Sequence, residues 1–522
     1  MNSTSHFQAF QVSASKHADR TAISSGTGSL TYRELEVAAR EVAGALVACG
    51  INRGDRIAIW GVNSAEWVVA ALGIQAAGAV LVPIGTRLRA REAGGILEGS
   101  GARIVFCDAG FGGYDFVAAV QSLSATSVER IVVLDSSVAE MPGVISLTGL
   151  RATGSATDPA EIDQRIAGGS GDDLADIIFT SGTTGKPKGV PMTCAQSLLA
   201  CQAQQDEISR FTPDDVFAVT YPFAHNAGYR AGWQVSFLHG VRVIPVGQFD
   251  PGEMLKMIER ERVTCLPTVP TIAQALLDHP DRASTDLSSL RVLSTGGTTI
   301  PVRLVEDLRG SLGQNTMVQT GYGLTETAGS VTATGPDDPA EVIATTVGRP
   351  LSMLEVKILD ASGNEVPHGE VGEIAVRGPQ VLKAYYNNPE ATAEAFTQDG
   401  FFLTGDAGSF DEAGNIRITD RIKDMYLVGG FNCYPAEIEG IMLSMPGIRQ
   451  VAVIGIDDDR LGQVGRAFVV QEGAGNLDEK SVVDWCRNEM ANYKVPRSVR
   501  FLDALPMNAT GKVAKPELRS LA

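Results

Sequence analysis

The sequence predicts an α/β protein: a large N-terminal part, a β-rich stretch after it, and a separate unit at the C-terminus. Three observations carry this. Apolar residues recur at helical spacing over 29–49, and a buried-strand pattern (Arg56–Trp60), a helix over 64–77 and a strand over 79–83 follow; alternating helix and strand makes parallel α/β layering the default. From about 345 to 420 short strands bounded by Gly, Asp and Asn take over, at 356–359, 373–377 and 415–419. The last hundred or so residues read as their own unit: a helix opened by Pro435, strands at 451–456 and 467–470, a helix over 478–490 and a strand at 498–502. A chain of 522 residues is too long for one core.

The first helix has a clear local signature. Leu35, Ala39, Val42, Leu46 and Cys49 share a face, Thr31 and Glu34 are spaced as a capping box, and Gly50 stops the run. Residues 151–173, rich in Gly, Ala, Ser and Asp, read as a loose connection.

Composition excludes several function classes. A net charge of −18 argues against nucleic-acid binding, which needs a basic face, and disfavours docking on an anionic membrane. The seven cysteines are scattered, odd in number and without CxxC spacing, as expected of reduced core residues in a cytoplasmic protein. Cys194 and Cys201 share a helix face, which packing explains better than a metal pair. The six histidines lack ligand spacing, so a zinc site held by protein ligands is not expected. The N-terminus has no signal-peptide pattern, and no apolar run reaches the length of a membrane span.

The most specific string is Thr180-Ser-Gly-Thr-Thr-Gly-Lys-Pro-Lys-Gly189. It follows an apolar strand pattern, Leu174 to Phe179, and precedes a helical pattern over 193–208. Glycines let backbone N–H groups approach an anion, hydroxyls add donors, and Lys186 and Lys188 add charge. Two residues separate Gly182 from Gly185, and Pro187 follows Lys186, so this is not a Walker A loop. Further strings follow in order: Tyr221-Pro-Phe-Ala-His225-Asn-Ala-Gly-Tyr-Arg230; Gly296-Gly297-Thr298 after a strand; Thr320-Gly-Tyr-Gly-Leu-Thr-Glu326-Thr; Leu403-Thr-Gly-Asp406; Asp420-Arg421-Ile-Lys423 with Gly429-Gly430-Phe431; and Asn508-Ala-Thr-Gly511-Lys512.

In this order the strings resemble the adenylate-forming (ANL) superfamily: acyl-CoA synthetases, luciferases and adenylation domains. The likeness spans nearly the whole chain. It implies a large N-terminal domain, 1–420, of two parallel-type α/β sheet subdomains plus a small β-barrel subdomain, and a small mobile α+β lid, 421–522. It implies ATP, Mg²⁺ and coenzyme A as the groups handled. Thr180, Ser181, Gly182, Thr183, Thr184 and Lys188 would hold the ATP phosphates. Gly296, Gly297, Thr298, Thr320, Gly321, Tyr322 and Gly323 would surround the adenine, with Tyr322 stacked on it. Thr325 would bond the α-phosphate, Asp406 and Arg421 the ribose, and Thr180 and Glu326 the metal. Lys512 would bridge carboxylate and α-phosphate, and Lys423 would be the hinge. Gly429, Gly430 and Phe431 would pass the pantetheine arm. His225, Asn226, Tyr229, Gly297 and Tyr322 would line the acyl pocket, with His225 among the catalytic residues. The family usually has a second aromatic where this chain has Ala224, which leaves room, and a glycine where it has Ala384.

Within the superfamily, His225-Asn-Ala-Gly-Tyr-Arg-Ala-Gly, Ile418-Thr-Asp-Arg-Ile-Lys-Asp-Met-Tyr, Gly465-Arg-Ala-Phe-Val-Val and Pro496-Arg-Ser-Val-Arg-Phe resemble actinobacterial CoA ligases for a steroid-derived indane-propanoate. That implies a bulky polycyclic acid, from a steroid or terpenoid, with a fatty acid as the other acyl class. Two alternatives stay open: transfer to a carrier-protein phosphopantetheine instead of CoA, and a non-enzymatic nucleotide-binding protein. A homodimer is among the assemblies left open.

Overall fold

Two seven-stranded sheets and the helices between them make up the large part of the protein. The computed structural model of the chain describes residues 4–26, 28–124, 126–135, 141–180, 187–296, 300–312, 316–421, 424–428, 431–458, 460–473, 477–508 and 513–521, with only the backbone of 420–421 and 431–432. The first sheet runs Met317–Gln319, Val292–Thr295, Cys265–Thr268, Val216–Val219, Arg242–Pro245, Thr21–Ser25, Gly28–Thr31; only its last pair is antiparallel. The second runs Lys188–Thr193, Leu174–Thr180, Val80–Ile84, Arg56–Trp60, Ile104–Cys107, Arg130–Val133, Val144–Ser146; only the Lys188 edge is antiparallel. The expected parallel α/β layering is therefore what the chain adopts.

Strand alternation explains the layers. Ile57 and Ile59 point to a shared central core with the helices Tyr32–Ala48 and Ala65–Ala76, and Phe217, Val219 and Val243 of the first sheet enter it from the other side. Ala58 and Trp60 face the opposite way, into a core under Ala90–Ser100 and Phe116–Gln121. Ala218, Ile244 and Leu266 face the helices Pro251–Glu261 and Val302–Leu312. The result is helix, sheet, helix, sheet, helix.

The helix expected over 29–49 begins at Tyr32, because Gly28–Thr31 is an edge strand, and another helix, His6–Lys16, precedes it; the expected start at 29 is corrected accordingly. Its capping box is formed: the Thr31 N–H donates to Glu34 Oε2 at 2.8 Å and the Glu34 N–H to Thr31 Oγ1 at 3.2 Å. The expected loose connection at 151–173 is corrected too. It contains the end of one helix, Leu147–Gly154, and all of another, Pro159–Ala167, capped by Asp158. Gly154 is there for contact: a Cβ at this position would lie 1.7 Å from the Glu41 carbonyl oxygen of the helix Tyr32–Ala48.

The β-rich stretch forms a curled antiparallel sheet of four strands, Glu355–Leu359, Gly372–Arg377, Phe402–Phe410 and Ile416–Arg421, with register shifts in two of its ladders. Its core residues Ile374, Val376 and Phe402 pack with Val190 and Met192 of the second sheet's edge strand. That contact sets the half-barrel beside the strand that begins at Lys188. The C-terminal unit is a five-stranded sheet of Phe431–Cys433, Tyr426–Val428, Gly462–Gln471, Ile448–Asp458 and Ser498–Phe501, with helices Pro435–Met442, Glu479–Glu489 and Lys515–Ser520. Among the described residues no helix is long and apolar enough to cross a membrane.

Candidate active site

The site grows from the C-terminal end of Leu174–Thr180. This strand is buried by Ala175, Ile177 and Ile178 and ends on Thr180, which sits opposite Lys188 in an antiparallel pair. The sequence reading had helix following loop. An edge strand, Lys188–Thr193, intervenes, and the helix starts only at Cys194. The loop thus joins two paired strands and does not lead straight into a helix. Pro191 hides this strand from pattern reading, and an edge position is where a strand accepts proline.

Two groups of side chains meet here. In the first, the Lys188 ammonium lies over the Tyr385 ring, 5.0 Å from its centroid, and the Tyr385 hydroxyl donates to Glu326 Oε1 at 3.1 Å. Burial and the Glu326 charge push the Tyr385 phenol well up, which keeps it a donor. Glu326 sits on a one-turn helix, Thr325–Thr327, whose carbonyl at Glu326 accepts the Leu382 N–H at 2.7 Å. In the second, the Tyr322 hydroxyl donates to Asp406 Oδ2 at 2.6 Å, and Asp406 faces Arg421 across the half-barrel ladder. Behind them, burial and the neighbouring Asp406 raise the Glu373 carboxyl, which accepts the Gly405 N–H at 2.9 Å.

Tyr322 lies in a small antiparallel sheet, Gly321–Leu324 with Gly329–Ala333 and Arg349–Pro350, and Glu326 on the turn that joins its first two strands, so the two groups are fixed relative to each other. Glycine-rich and threonine-rich, this sheet shows no strand pattern in the sequence. Thr325 is 9% exposed and Thr320 lies beside Gly296, whose Cβ position is 3.1 Å from Thr320 Oγ1. Gly321 and Gly323 are exposed on the same sheet.

His225 caps a single helical turn, Asn226–Gly228, its Nδ1 accepting the Ala227 N–H at 3.2 Å. Asn226 approaches Gly329 at the end of the small sheet. Tyr229 is fully buried: its ring lies 5.0 Å from that of Trp233, and its hydroxyl accepts from Gln75 at 3.1 Å. It packs the core beneath the expected acyl pocket. Arg230, with no role assigned from sequence, is 1% exposed and pairs with the fully buried Asp176 at 2.5 Å. Tyr385 and Arg230 are the residues that sequence reasoning missed. Of Cys194 and Cys201, both are buried on one helix, and burial pushes each thiol up to about 12.

Arg87, beyond the end of Val80–Ile84 in the same sheet, donates to the Asn508 carbonyl at 2.7 Å, and Met507 bridges Val513. These residues bracket 509–512 and bring the C-terminal unit to this edge. Ser181, Gly182, Thr183, Thr184, Gly297, Thr298, Lys423, Gly429, Gly430 and Lys512 lie outside the described residues, as do the side chains of Arg421 and Phe431.

A fold of two stacked α/β sheets, a half-barrel and a C-terminal α+β unit, with hydroxyls, a lysine and carboxylates at one edge, defines the class of nucleotide-dependent acid-activating enzymes. The AMP-binding enzyme family matches residues 10–386, and the AMP-binding enzyme C-terminal domain matches 437–512. Over 512 residues the chain is 44% identical to the 3-[(3aS,4S,7aS)-7a-methyl-1,5-dioxo-octahydro-1H-inden-4-yl]propanoyl:CoA ligase of Mycobacterium tuberculosis, covering 96% of each chain. It is 43% identical to the ligase of the same name from Rhodococcus jostii over 515 residues, 98% of this chain and 97% of the other. Among solved structures it resembles ATP-bound MatB from Rhodopseudomonas palustris, with TM-score 0.83, 31% identity, and 100% and 99% of the two chains covered. It also resembles the anthranilate CoA ligase AuaEII with anthranoyl-AMP, with TM-score 0.87, 26% identity, and 100% and 98% covered. The chain belongs to the AMP-binding enzymes of the ANL superfamily. It is an AMP-forming acid–thiol ligase.

Proposed function

We propose that the protein joins a bulky polycyclic carboxylic acid, of the steroid-derived indane-propanoate kind, to coenzyme A. The observation that carries this is the likeness of 43–44%, over nearly the full length, to two ligases named for such an acid. Ala224, where a larger ring would narrow the pocket, supports it.

The residues divide the work as follows. The acid's carboxylate oxygen attacks the α-phosphorus of ATP, the bond to the β-phosphate breaks, and pyrophosphate leaves. No side-chain nucleophile is needed, so catalysis is positioning and charge neutralisation. Thr180, the loop hydroxyls at Ser181, Thr183 and Thr184, and Lys188 hold the phosphates; Thr325 holds the α-phosphate. Tyr322 stacks on adenine, and Asp406 with Arg421 accepts and binds the ribose hydroxyls. Thr180 and Glu326 offer one hydroxyl and one carboxylate, a donor set that suits Mg²⁺ when phosphate oxygens and water complete the shell. Among the described residues no cluster of three or more His, Cys, Asp or Glu stands ready to cage a metal alone. Such an ion supplies charge neutralisation of the phosphates.

In the second half a thiolate attacks the acyl carbon, and the bond to the AMP oxygen breaks. By the family likeness Lys512 would occupy the thiol's approach in the first half, so the lid, 421–522, would turn about Lys423 before Gly429, Gly430 and Phe431 pass the pantetheine arm. The Arg87 contact with Asn508 suits the closed, acid-activating arrangement. ATP and CoA supply place the enzyme in the cytoplasm.

Pyrophosphate release over aliphatic, aromatic and polycyclic acids tests the substrate, and thioester yield with CoA against a carrier protein tests the acceptor. Lys512→Ala should lose about 10²–10³ in adenylate formation yet convert supplied acyl-adenylate to thioester; equal loss in both halves contradicts the two-arrangement scheme.

A further inference from the structure

Asn226 is 5% exposed, and its amide is held one way round. Oδ1 accepts from Arg230 Nη1 at 2.6 Å, while the same guanidinium donates to Ser197 Oγ at 2.9 Å and to Asp176 Oδ1 at 2.5 Å. A guanidinium has only donors, so it must face the amide oxygen, and the NH₂ group must point away from it.

Away from Arg230 lies Gly329. A Cβ on Gly329 would sit 3.1 Å from Asn226 Nδ2 and within 4 Å of nothing else. Gly329 has φ +138°, where side chains are rarely tolerated, and it pairs with Leu324, the residue before Thr325 and Glu326. The amide donors therefore face space left open by a glycine, next to the reacting end of the cleft. Among the described residues nothing accepts from Nδ2. Unlike the sealed polar atoms of the core, this nitrogen stays within reach of solvent, so a ligand oxygen can meet it, and its neighbour's positive charge makes it a stronger donor.

We infer that Asn226 is the donor by which the acyl cleft recognises a carbonyl oxygen on the ring system of the acid. A ring ketone is a neutral acceptor and needs no counter-charge, which suits a site whose cation is already paired to Asp176. The inference rests on the polycyclic-acid reading and sharpens it: the two ligases of similar sequence are named for a 1,5-dioxo acid, and the donor selects keto acids over saturated ones.

The test uses the full-length enzyme and pyrophosphate release with two acids, the dioxo-indane propanoate and the same skeleton with methylenes in place of both ketones. The wild type should favour the diketone by about tenfold or more in kcat/KM, because a site built to hydrogen-bond an oxygen rejects the analogue that lacks it. Asn226→Ala should raise KM for the diketone about tenfold and leave the saturated acid within about twofold. Asn226→Asp keeps the size and the bond to Arg230 but replaces the donor with an acceptor, and it should lose the diketone at least as much; it also serves if the alanine variant folds poorly. Equal losses on both acids, which would mean that Asn226 binds the carboxylate or only packs, overturn the inference, as does no loss on either. If the wild type uses neither indane acid, the substrate reading falls, and a keto/methylene pair within the accepted acid class tests Asn226 separately.

Discussion

Two cation–carboxylate groupings lie along one strand, Leu174–Thr180, and they differ in how far solvent reaches them. Arg230 and Asp176, in mid-strand, have side chains 2% and 0% exposed, and Ser197 and Asn226 take up other guanidinium donors. Lys188 and Glu326, at its end, meet through the Tyr385 ring and hydroxyl and stand at a half-open edge. The first pair is sealed from solvent, although among the described residues nothing donates to Asp176 Oδ2. The second stays within reach of solvent, as a site needs if phosphates are to enter. Residue type does not distinguish scaffold from site here; exposure to solvent does.

The sharpest way to break the comparison is to remove one charge from each group. Arg230→Met strands a buried carboxylate and should cost about 3–5 kcal/mol in denaturant unfolding, while adding Asp176→Leu should recover most of it. Glu326→Gln should leave stability within about 0.5 kcal/mol yet slow adenylate formation about 10²-fold. If Glu326→Gln destabilises as much as Arg230→Met, the distinction fails.

Acid separates the groups next. His6 adjoins the closed cluster through Gln75, which bridges it to Tyr229, and burial, with the Arg230 charge, lowers its pKa to about 3. Above pH 6.5 His6 is neutral whether the chain is folded or not. Below that the unfolded chain takes a proton that the fold refuses, so stability falls as pH drops from 6.5 towards 3. The loss should reach about 2 kcal/mol at pH 5, and His6→Phe should flatten it. The smallest effect is expected at the open group: Tyr385→Phe removes one hydrogen bond and should lower kcat/KM for adenylation about three- to tenfold, with little change in unfolding.

The same contrast explains what could be read without coordinates. The Thr31–Glu34 capping box and the Ile57–Ile59 strand are local patterns, and they fold as read. The helices Leu147–Gly154 and Pro159–Ala167 were hidden by small residues that exist for helix contact, as at Gly154. The strand Lys188–Thr193 was hidden by Pro191, and the sheet bearing Tyr322 by its glycines. Tyr385 is 59 residues from Glu326 and Asp176 is 54 from Arg230, so neither pairing leaves a mark within any window of sequence. The strings proposed for the site were legible because phosphate binding demands glycine, hydroxyl and lysine next to one another in the chain.

The central claim is that the edge at Thr180 turns an acid and ATP into a mixed anhydride before any thiol takes part. Mixing the enzyme with Mg-ATP and an accepted acid in the absence of CoA, then quenching and weighing the nucleotide products, tests this directly. Acyl-AMP and pyrophosphate in equal amounts, with thioester and AMP appearing once CoA is added, is the predicted result; ADP and inorganic phosphate, or no acid-dependent product, would contradict it.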